Sequence, residues 1–305
     1  MITTITLNPS LDRISYIKNA RVTSPIDSPG GKGINVYKVL DSLGVDVKTI
    51  SLLGGETGEK ISKLLQQYSG PKIVIPIEDD NRIYKLTVDK DKKIERILRN
   101  DVPRIKSNEM NRALDVIKKE IDDSEIIIIS GSLPEVENLS YCPYQEIIKY
   151  CKDNEKFLIL DTSGEPLKRN ISLGPDLIKP NLEEFKELTD ISSDDVEDII
   201  KESLKLLELG VKRILISLGA EGLLYIENKK VFLGKIQEIS IENTIGAGDS
   251  LVAGYVYSLI NKFSLEKSLM FAMAMAASNC QNPGIGVIDK DYRKFFDKIT
   301  IKRLL

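Results

Sequence analysis

Apolar residues in this chain follow two spacings that take turns. At 2–7, 48–53, 72–77, 125–130, 156–161, 176–179 and 213–218 they form short β-rich runs. At 34–43, 58–68, 107–122, 196–209 and 249–261 they recur every three or four positions. The first spacing predicts strands and the second predicts helices with one apolar face. Ile126-Ile127-Ile128-Ile129 has no polar side at all, which suits a central parallel strand covered on both faces. Strand and helix in alternation predict βαβ units wound into one parallel sheet, an α/β fold with ligands at the carboxyl ends of its strands.

Two stretches break the alternation. Residues 11–28 are polar and strand-like, and 82–89 with 93–99 read as a hairpin around the charged turn Lys90-Asp91-Lys92. Neither fits a βαβ unit. They are expected to form either two surface hairpins or a small sheet standing over the core as a lid, and the pattern leaves both open. No repeat or low-complexity linker divides the 305 residues, so the chain is read as a single domain, 1–305.

Composition narrows the chemistry more than the fold. Hydrophobic residues at 42% and charged residues at 29% suit a soluble protein with a large core. A net charge of −3 without a basic tail argues against a nucleic-acid partner, because phosphate neutralisation needs a concentrated positive face. No run approaches the ~18 apolar residues of a membrane span, and residues 1–7 read as a strand rather than a signal peptide. Cys142, Cys151 and Cys280 have neither metal nor redox spacing, so reduced thiols and a cytoplasmic location are expected. Histidine is absent. That removes imidazole bases, Ser-His-Asp triads and H-E-x-x-H zinc sites, leaving a carboxylate, lysine, tyrosine or thiol as any general base.

Candidate chemistry collects at strand exits. Gly246-Ala247-Gly248 is expected to follow a short strand at 238–241 and to open a helix. Unpaired amides and the helix dipole favour an anion there, and Asp249 falls in the first turn beside it. A carboxylate so placed can take a proton from an attacking hydroxyl, although a first-turn Asp is also favoured by the dipole alone. Gly30-Gly31-Lys32-Gly33-Ile34-Asn35 is a second glycine-rich entry to a helix, and it is neither a P-loop nor a dinucleotide fingerprint. Lys179-Pro180-Asn181-Leu182-Glu183-Glu184 ends a strand with Asn181 at an N-cap position; the same residues read as a plain cap or, through Asn181 and Glu184, as neighbours of a metal-nucleotide. Ser130-Gly131-Ser132 and Ser217-Leu218-Gly219-Ala220-Glu221-Gly222 are further polar turns at such exits.

These segments, in this order and together with Thr6-Leu7-Asn8-Pro9-Ser10-Leu11-Asp12, resemble the phosphofructokinase B family of ribokinase-like carbohydrate kinases almost end to end. The resemblance implies a three-layer α/β/α sandwich with a β-sheet lid, from segments at about 11–28 and 81–100, through which a homodimer forms. It implies ATP and Mg²⁺, and transfer of a phosphoryl group to a sugar hydroxyl. By motif, Asp249 corresponds to the catalytic base and Gly246, Ala247 and Gly248 to its anion hole. Asp12, Gly31, Lys32, Asn35, Arg82 and Ser132 fall on substrate positions. Lys179, Asn181, Ser217, Gly219, Gly222 and Asn279 fall on the nucleotide side, and Glu184 on the metal side. The opening segment, the Ser-Gly-Ser turn and Asn243 resemble the branch acting on ketohexose phosphates. Within it, the segments 31–40 and 216–222 are most similar to members acting on fructose 1-phosphate, followed by those acting on tagatose 6-phosphate, with fructose 6-phosphate a further alternative. The 95–100 segment departs from the lid sequence of the fructose 1-phosphate enzymes, and Arg96 or Arg99 there would suit contacts to a phosphate. From another class, a sugar-phosphate or nucleotide sensor without turnover would have no need of Asp249. A dinucleotide-dependent oxidoreductase has only the α/β alternation behind it.

Overall fold

The structure, a computed structural model, describes all residues except 19–20, 90–93, 100–101 and 139, and it leaves undescribed the side chains of 18, 21, 89 and 94–99. The Lys90-Asp91-Lys92 turn and the side chains of Arg96 and Arg99 therefore lie outside the described residues.

The chain opens with β1 (Ile2–Thr6), β2 (Ser10–Lys18), β3 (Arg21–Val22), β4 (Ile26–Gly30) and α1 (Lys32–Ser42). Next come β5 (Val47–Leu53), α2 (Gly55–Leu65), β6 (Lys72–Pro76), β7 (Arg82–Asp89), β8 (Ile94–Arg99) and β9 (Arg104–Ile105). The middle of the chain holds α3 (Ser107–Glu120), β10 (Ile126–Ser130), β11 (Glu135–Val136), α4 (Pro143–Asp153), β12 (Phe157–Asp161) and α5 (Glu165–Asn170). After β13 (Leu177–Ile178) follow α6 (Leu182–Thr189), α7 (Val196–Glu208), β14 (Ile214–Ser217), β15 (Leu223–Glu227) and β16 (Lys230–Ile236). The last elements are α8 (Ala247–Ile260), α9 (Leu265–Cys280) and β17 (Ile299–Arg303).

Ten strands form the central sheet in the order β17-β16-β15-β14-β13-β12-β10-β1-β5-β6. From β6 to β14 the pairing is parallel, as the alternation predicts. The sheet is nonetheless mixed, because β14 to β17 pair antiparallel. Only Asn228 and Lys229 separate β15 from β16, far too few residues for a parallel crossover. The short strand expected at 238–241 does not form; that stretch is a loop.

Alternation within single strands shows where the core lies. Ile126 and Ile128 join one buried cluster with α1, α8 and α9, whereas Ile127 and Ile129 join another with α3, α4 and α7. The four-isoleucine run is thus apolar on both faces because helices cover both, completing three layers. From β1 the chain proceeds outward through β5 and β6, then returns to the other side of β1 at β10. The crevice outside the ends of β1 and β10 is the topological switch point, where open α/β sheets bind their ligands.

The strands β2, β3, β4, β7 and β8 form one body. β2 pairs with β3 and β4 antiparallel and with β7 parallel, and β8 pairs with β7. The sheet stands over the switch point. Its Ile14, Leu86 and Val88 pack on Ile285, with Tyr16, Tyr84 and Ile245 against them. The Tyr16 hydroxyl donates to the Pro283 carbonyl at 2.6 Å, fastening the lid to the loop after α9.

Candidate active site

Helix α8 begins where Gly246 adopts φ 82°, the left-handed region that glycine enters without penalty. A Cβ there would stand 2.9 Å from Ile285 Cγ2 and 3.0 Å from the Gly286 nitrogen, so the loop after α9 seals one side of the turn. The Ala247 N–H turns back to the Thr244 carbonyl at 3.3 Å. Those of Gly248 and Asp249 lie in the first turn, where no preceding helical carbonyl can accept them. Asp249 is buried, and the Asn35 amide on α1 donates to its Oδ2 at 2.8 Å. Burial, with the Asp161 charge nearby, raises the Asp249 pKa to about 6, against the pull of Lys32, Asn35 and Lys179. At neutral pH the carboxylate is ionised and close to its titration point, as suits a general base.

Lys32 Nζ lies 3.1 Å from Asp161 Oδ1 and 3.4 Å from Glu184 Oε1, and Lys179 Nζ lies 3.4 Å from the same Asp161 oxygen. Burial opposes ionisation of Asp161, but the two ammonium groups outweigh it and hold its pKa below the ordinary value. Asp161 Oδ2, fully buried, has no hydrogen-bond partner. Glu184 Oε2 accepts from the Asn181 N–H at 2.9 Å while Asn181 Oδ1 accepts from the Glu184 N–H at 2.7 Å. This is a reciprocal capping box at the start of α6, so the plain cap expected of Asn181 is present.

On the lid side, Asp12 is buried on β2 and accepts from Ser10 Oγ at 2.6 Å. Burial raises its pKa to about 6, despite Ser10, Lys38 and Arg82. Gly31 has φ 113° at the head of α1, and a Cβ there would stand 2.8 Å from Thr6 Cγ2, so the turn can lie against the end of β1 only as glycine. Asn8 Nδ2 donates to Ser132 Oγ at 3.0 Å and to the Leu133 carbonyl, while Arg82 donates to the Asn8 carbonyl at 3.2 Å. One polar floor thus joins the exits of β1 and β10 to the start of β7.

Beside the head of α8 lies a cleft of about 720 Å³. Asn181, Ser217, Gly219 and Gly222 line it together with Thr244, Ala247 and Gly248. The volume suits a nucleotide-sized ligand. Two residues expected on this side are placed otherwise. Asn279 is fully buried, its amide donating to the Ile245 carbonyl and accepting from the Gly286 N–H, each at 2.8 Å. It braces the loops around Gly246, and Met273, Ala276, Ala277 and Cys280 of the same helix form the cleft wall instead. Lys179 sits deeper, within the Asp161 cluster and 3.1 Å from where a Cβ on Gly248 would be.

Asp161 lies in none of the motif segments, and Asn8 and Lys38, although inside the 6–12 and 31–40 segments, are not singled out by them. The exit of the strand at 156–161 points to Asp161, and the helical spacing three beyond Asn35 points to Lys38. Asn243 has a structural place as well. Its amide donates to the Asn282 carbonyl at 2.6 Å and accepts from the Ile245 N–H at 3.0 Å, tying the segment before α8 to the loop after α9.

A mixed sheet with a parallel core and a polar crevice at its switch point, a nucleotide-sized cleft, a lid and a buried carboxylate at a helix head together define a lidded α/β phosphotransferase. The chain belongs to the pfkB family of carbohydrate kinases, whose model matches residues 2–290. It is 36% identical over 281 residues to 1-phosphofructokinase of Borreliella burgdorferi, covering 90% of both chains. It is 29% identical over 312 residues to tagatose-6-phosphate kinase of Staphylococcus epidermidis, covering 99% of both. Phosphofructokinase-2 from Escherichia coli, solved in complex with substrates and products, superposes with a TM-score of 0.89 at 27% identity, covering 97% of this chain and 98% of that one. Among the described residues no helix is long and apolar enough to cross a membrane.

Proposed function

We propose that the chain transfers the γ-phosphoryl group of ATP to a hydroxyl of a ketohexose phosphate, with fructose 1-phosphate the acceptor and fructose 1,6-bisphosphate the product. One observation carries the reading: Asp249, buried and held by Asn35, directly follows Ala247 and Gly248, which line the 720 Å³ cleft, and shares the neighbourhood of Lys38 with Asp12 of the lid. A nucleotide in the cleft and a sugar phosphate under the lid would meet there. Similarity to 1-phosphofructokinase of B. burgdorferi, at 36% identity, favours fructose 1-phosphate over tagatose 6-phosphate.

In this mechanism Asp249 takes the proton of the acceptor hydroxyl as its oxygen bonds to the γ-phosphorus, and the bond to the β–γ bridging oxygen breaks to release ADP. First-turn amides of α8 and the Lys32 ammonium stabilise charge on the phosphoryl oxygens. Asp12, Asn35 and Ser132, with the Gly31 turn, orient the sugar, and Arg82 supplies positive charge to its phosphate. Asn181, Ser217, Gly219 and Gly222 hold the nucleotide. Glu184 and Asp161 fit a hydrated Mg²⁺, which asks for only one or two carboxylates, and the buried Asp161 Oδ2 has no other partner. Among the described residues no larger cage of acidic, thiol or imidazole ligands occurs. When bound, Mg²⁺ would neutralise the phosphate oxygens of ATP.

A coupled ADP-release assay across fructose 1-phosphate, tagatose 6-phosphate, fructose 6-phosphate and the free sugars tests the reading. The highest kcat/KM is expected for fructose 1-phosphate, and turnover confined to free sugars would overturn the acceptor assignment. The lid exposes Val22 and Ile26, at 65% and 49%, which fits association of two lids in a homodimer. Light scattering on the eluted protein is expected to give twice the 34.1 kDa chain mass. ATP and a sugar phosphate are both intracellular, membrane-impermeant reactants, which supports a cytoplasmic location for the reaction.

A further inference from the structure

Lys38 lies one helical turn beyond Asn35 on α1 and is only 1% exposed, although its side chain ends in an ammonium group. Four oxygens from three parts of the fold surround Nζ. Ser28 Oγ at 3.0 Å and the Pro29 carbonyl at 3.2 Å belong to β4 at the root of the lid. The Ile285 carbonyl belongs to the loop after α9, and Asn35 Oδ1, at 3.2 Å, to the same helix. Burying a cation among neutral oxygens is costly, and a merely structural helix position here would be filled more cheaply by an apolar side chain.

The contact with Asn35 has a chemical consequence. A lysine ammonium only donates, so the Asn35 atom facing it must be the amide oxygen, and the NH₂ group must face Asp249 Oδ2 at 2.8 Å. Without Lys38, the amide could rotate and present its oxygen to the carboxylate, removing a donor and adding repulsion. The Ile285 carbonyl carries the tie further. Gly286 follows it and donates to Asn279, whose amide in turn holds the Ile245 carbonyl next to Gly246.

We propose that Lys38 is a positioning residue for phosphoryl transfer: it fixes the Asn35 amide so that it donates to Asp249, keeping that carboxylate ionised and aimed at the acceptor. The proposal rests on the reading of Asp249 as the general base. The charged groups facing Lys38 are Asp12 from β2 and Asp249 from α8, with Arg82 of β7 beside Asp12; β4 and the loop after α9 present neutral oxygens only. Burial lowers the Lys38 pKa to about 8, while the two carboxylates pull it upward, so the side chain is charged at neutral pH.

The test compares the pH dependence of kcat/KM in wild type, Lys38→Met, Lys38→Gln, Asn35→Ala and the Asn35→Ala/Lys38→Met double variant, with Asp249→Asn assayed alongside. Loss of the cation and of the oriented donor should shift the acid limb of Lys38→Met upward and lower kcat by about tenfold or more. Lys38→Gln keeps a donor and should lose less kcat, with its acid limb displaced in the same direction. In the Asn35→Ala background, Lys38→Met should lower kcat little further, since its effect passes through the missing amide. An unmoved acid limb, or losses that multiply in the double variant, would overturn the proposal while leaving Asp249 as the base. Loss of the fold in both Lys38 variants would overturn it equally, because Lys38 would then hold the core rather than the base. Near-normal turnover in Asp249→Asn would sink the underlying reading itself, whatever the Lys38 variants do.

Discussion

Asp249 and Asp12 are both raised by burial from 3.8 to about 6, and the sign of that shift has two consequences. A folded-state pKa above the unfolded one means that the native protein binds the proton more tightly. Its stabilising contribution is therefore complete below about pH 4 and is lost as pH rises through 6. With Asp249 as the proposed base, activity runs the other way, because the base must be unprotonated: kcat/KM is expected to climb as pH rises through about 6. Asp249→Asn separates the two. It removes a buried charge while keeping an acceptor for Asn35, so calorimetry at pH 8 should give a Tm no lower than that of wild type. Turnover should fall by a factor on the order of 10²–10⁴. A variant that unfolds early would mean that the carboxylate holds the helix head together instead. At this scale the sequence was informative where the chemistry is local. The Asn181 cap and Asp249 in its first turn both follow from i to i+3 relations. Asp161, Lys38 and the inward turn of Asn279 do not, because their partners lie 9 to 247 positions away for Lys38 alone, apart from Asn35 on the same helix.

Helix starts show the same division between local and distant causes. The 3.6-residue spacing places a helix at 58–68, yet α2 begins at Gly55, because Asp80 accepts from both the N–H and the hydroxyl of Thr57 at 2.9 Å. That cap comes from a residue after the next strand, and no local motif announces it. Helix α8 also starts before its apolar spacing does, at Ala247, since Gly246 can take a left-handed turn that closes on Ile285 and Gly286. Gly246→Ala is therefore expected to cost about 1–2 kcal/mol from backbone strain alone, with further cost from the contact to Ile285. Because the displaced atoms belong to the candidate anion site, kcat should fall more steeply than Tm. Chemical denaturation measured with steady-state kinetics would show this, and unchanged kinetics would argue that the turn tolerates rearrangement.

The molecule as a whole is a sheet buried on both faces, with a second sheet resting on one end of it. Ile128 is fully buried within the cluster shared with α1, α8 and α9. Ile128→Ala should destabilise by about 2–5 kcal/mol, read as a lower denaturant midpoint, with KM little changed in whatever protein remains folded. Among the described residues the lid is held differently, by a small apolar patch and by hydrogen bonds such as Tyr16 to Pro283.

Periodicity by itself determined the α/β class, the parallel core from β6 to β14 and the central place of the isoleucine run, since burial on one or two faces is written directly into residue spacing. The absence of histidine limited any general base to a carboxylate, lysine, tyrosine or thiol, and the Gly-Ala-Gly-Asp segment at a helix head put forward Asp249 as the candidate. Only the tertiary structure decided that the strands within 11–28 and 82–99 are one lid rather than two hairpins, because strand pairing across some seventy residues depends on packing over Ile285. It also decided that the far edge of the sheet is antiparallel. And it decided how Asp249 is held: its carboxylate answers to Asn35, and through Asn35 to Lys38, groups that adjoin it only because the fold brings α1 against the head of α8.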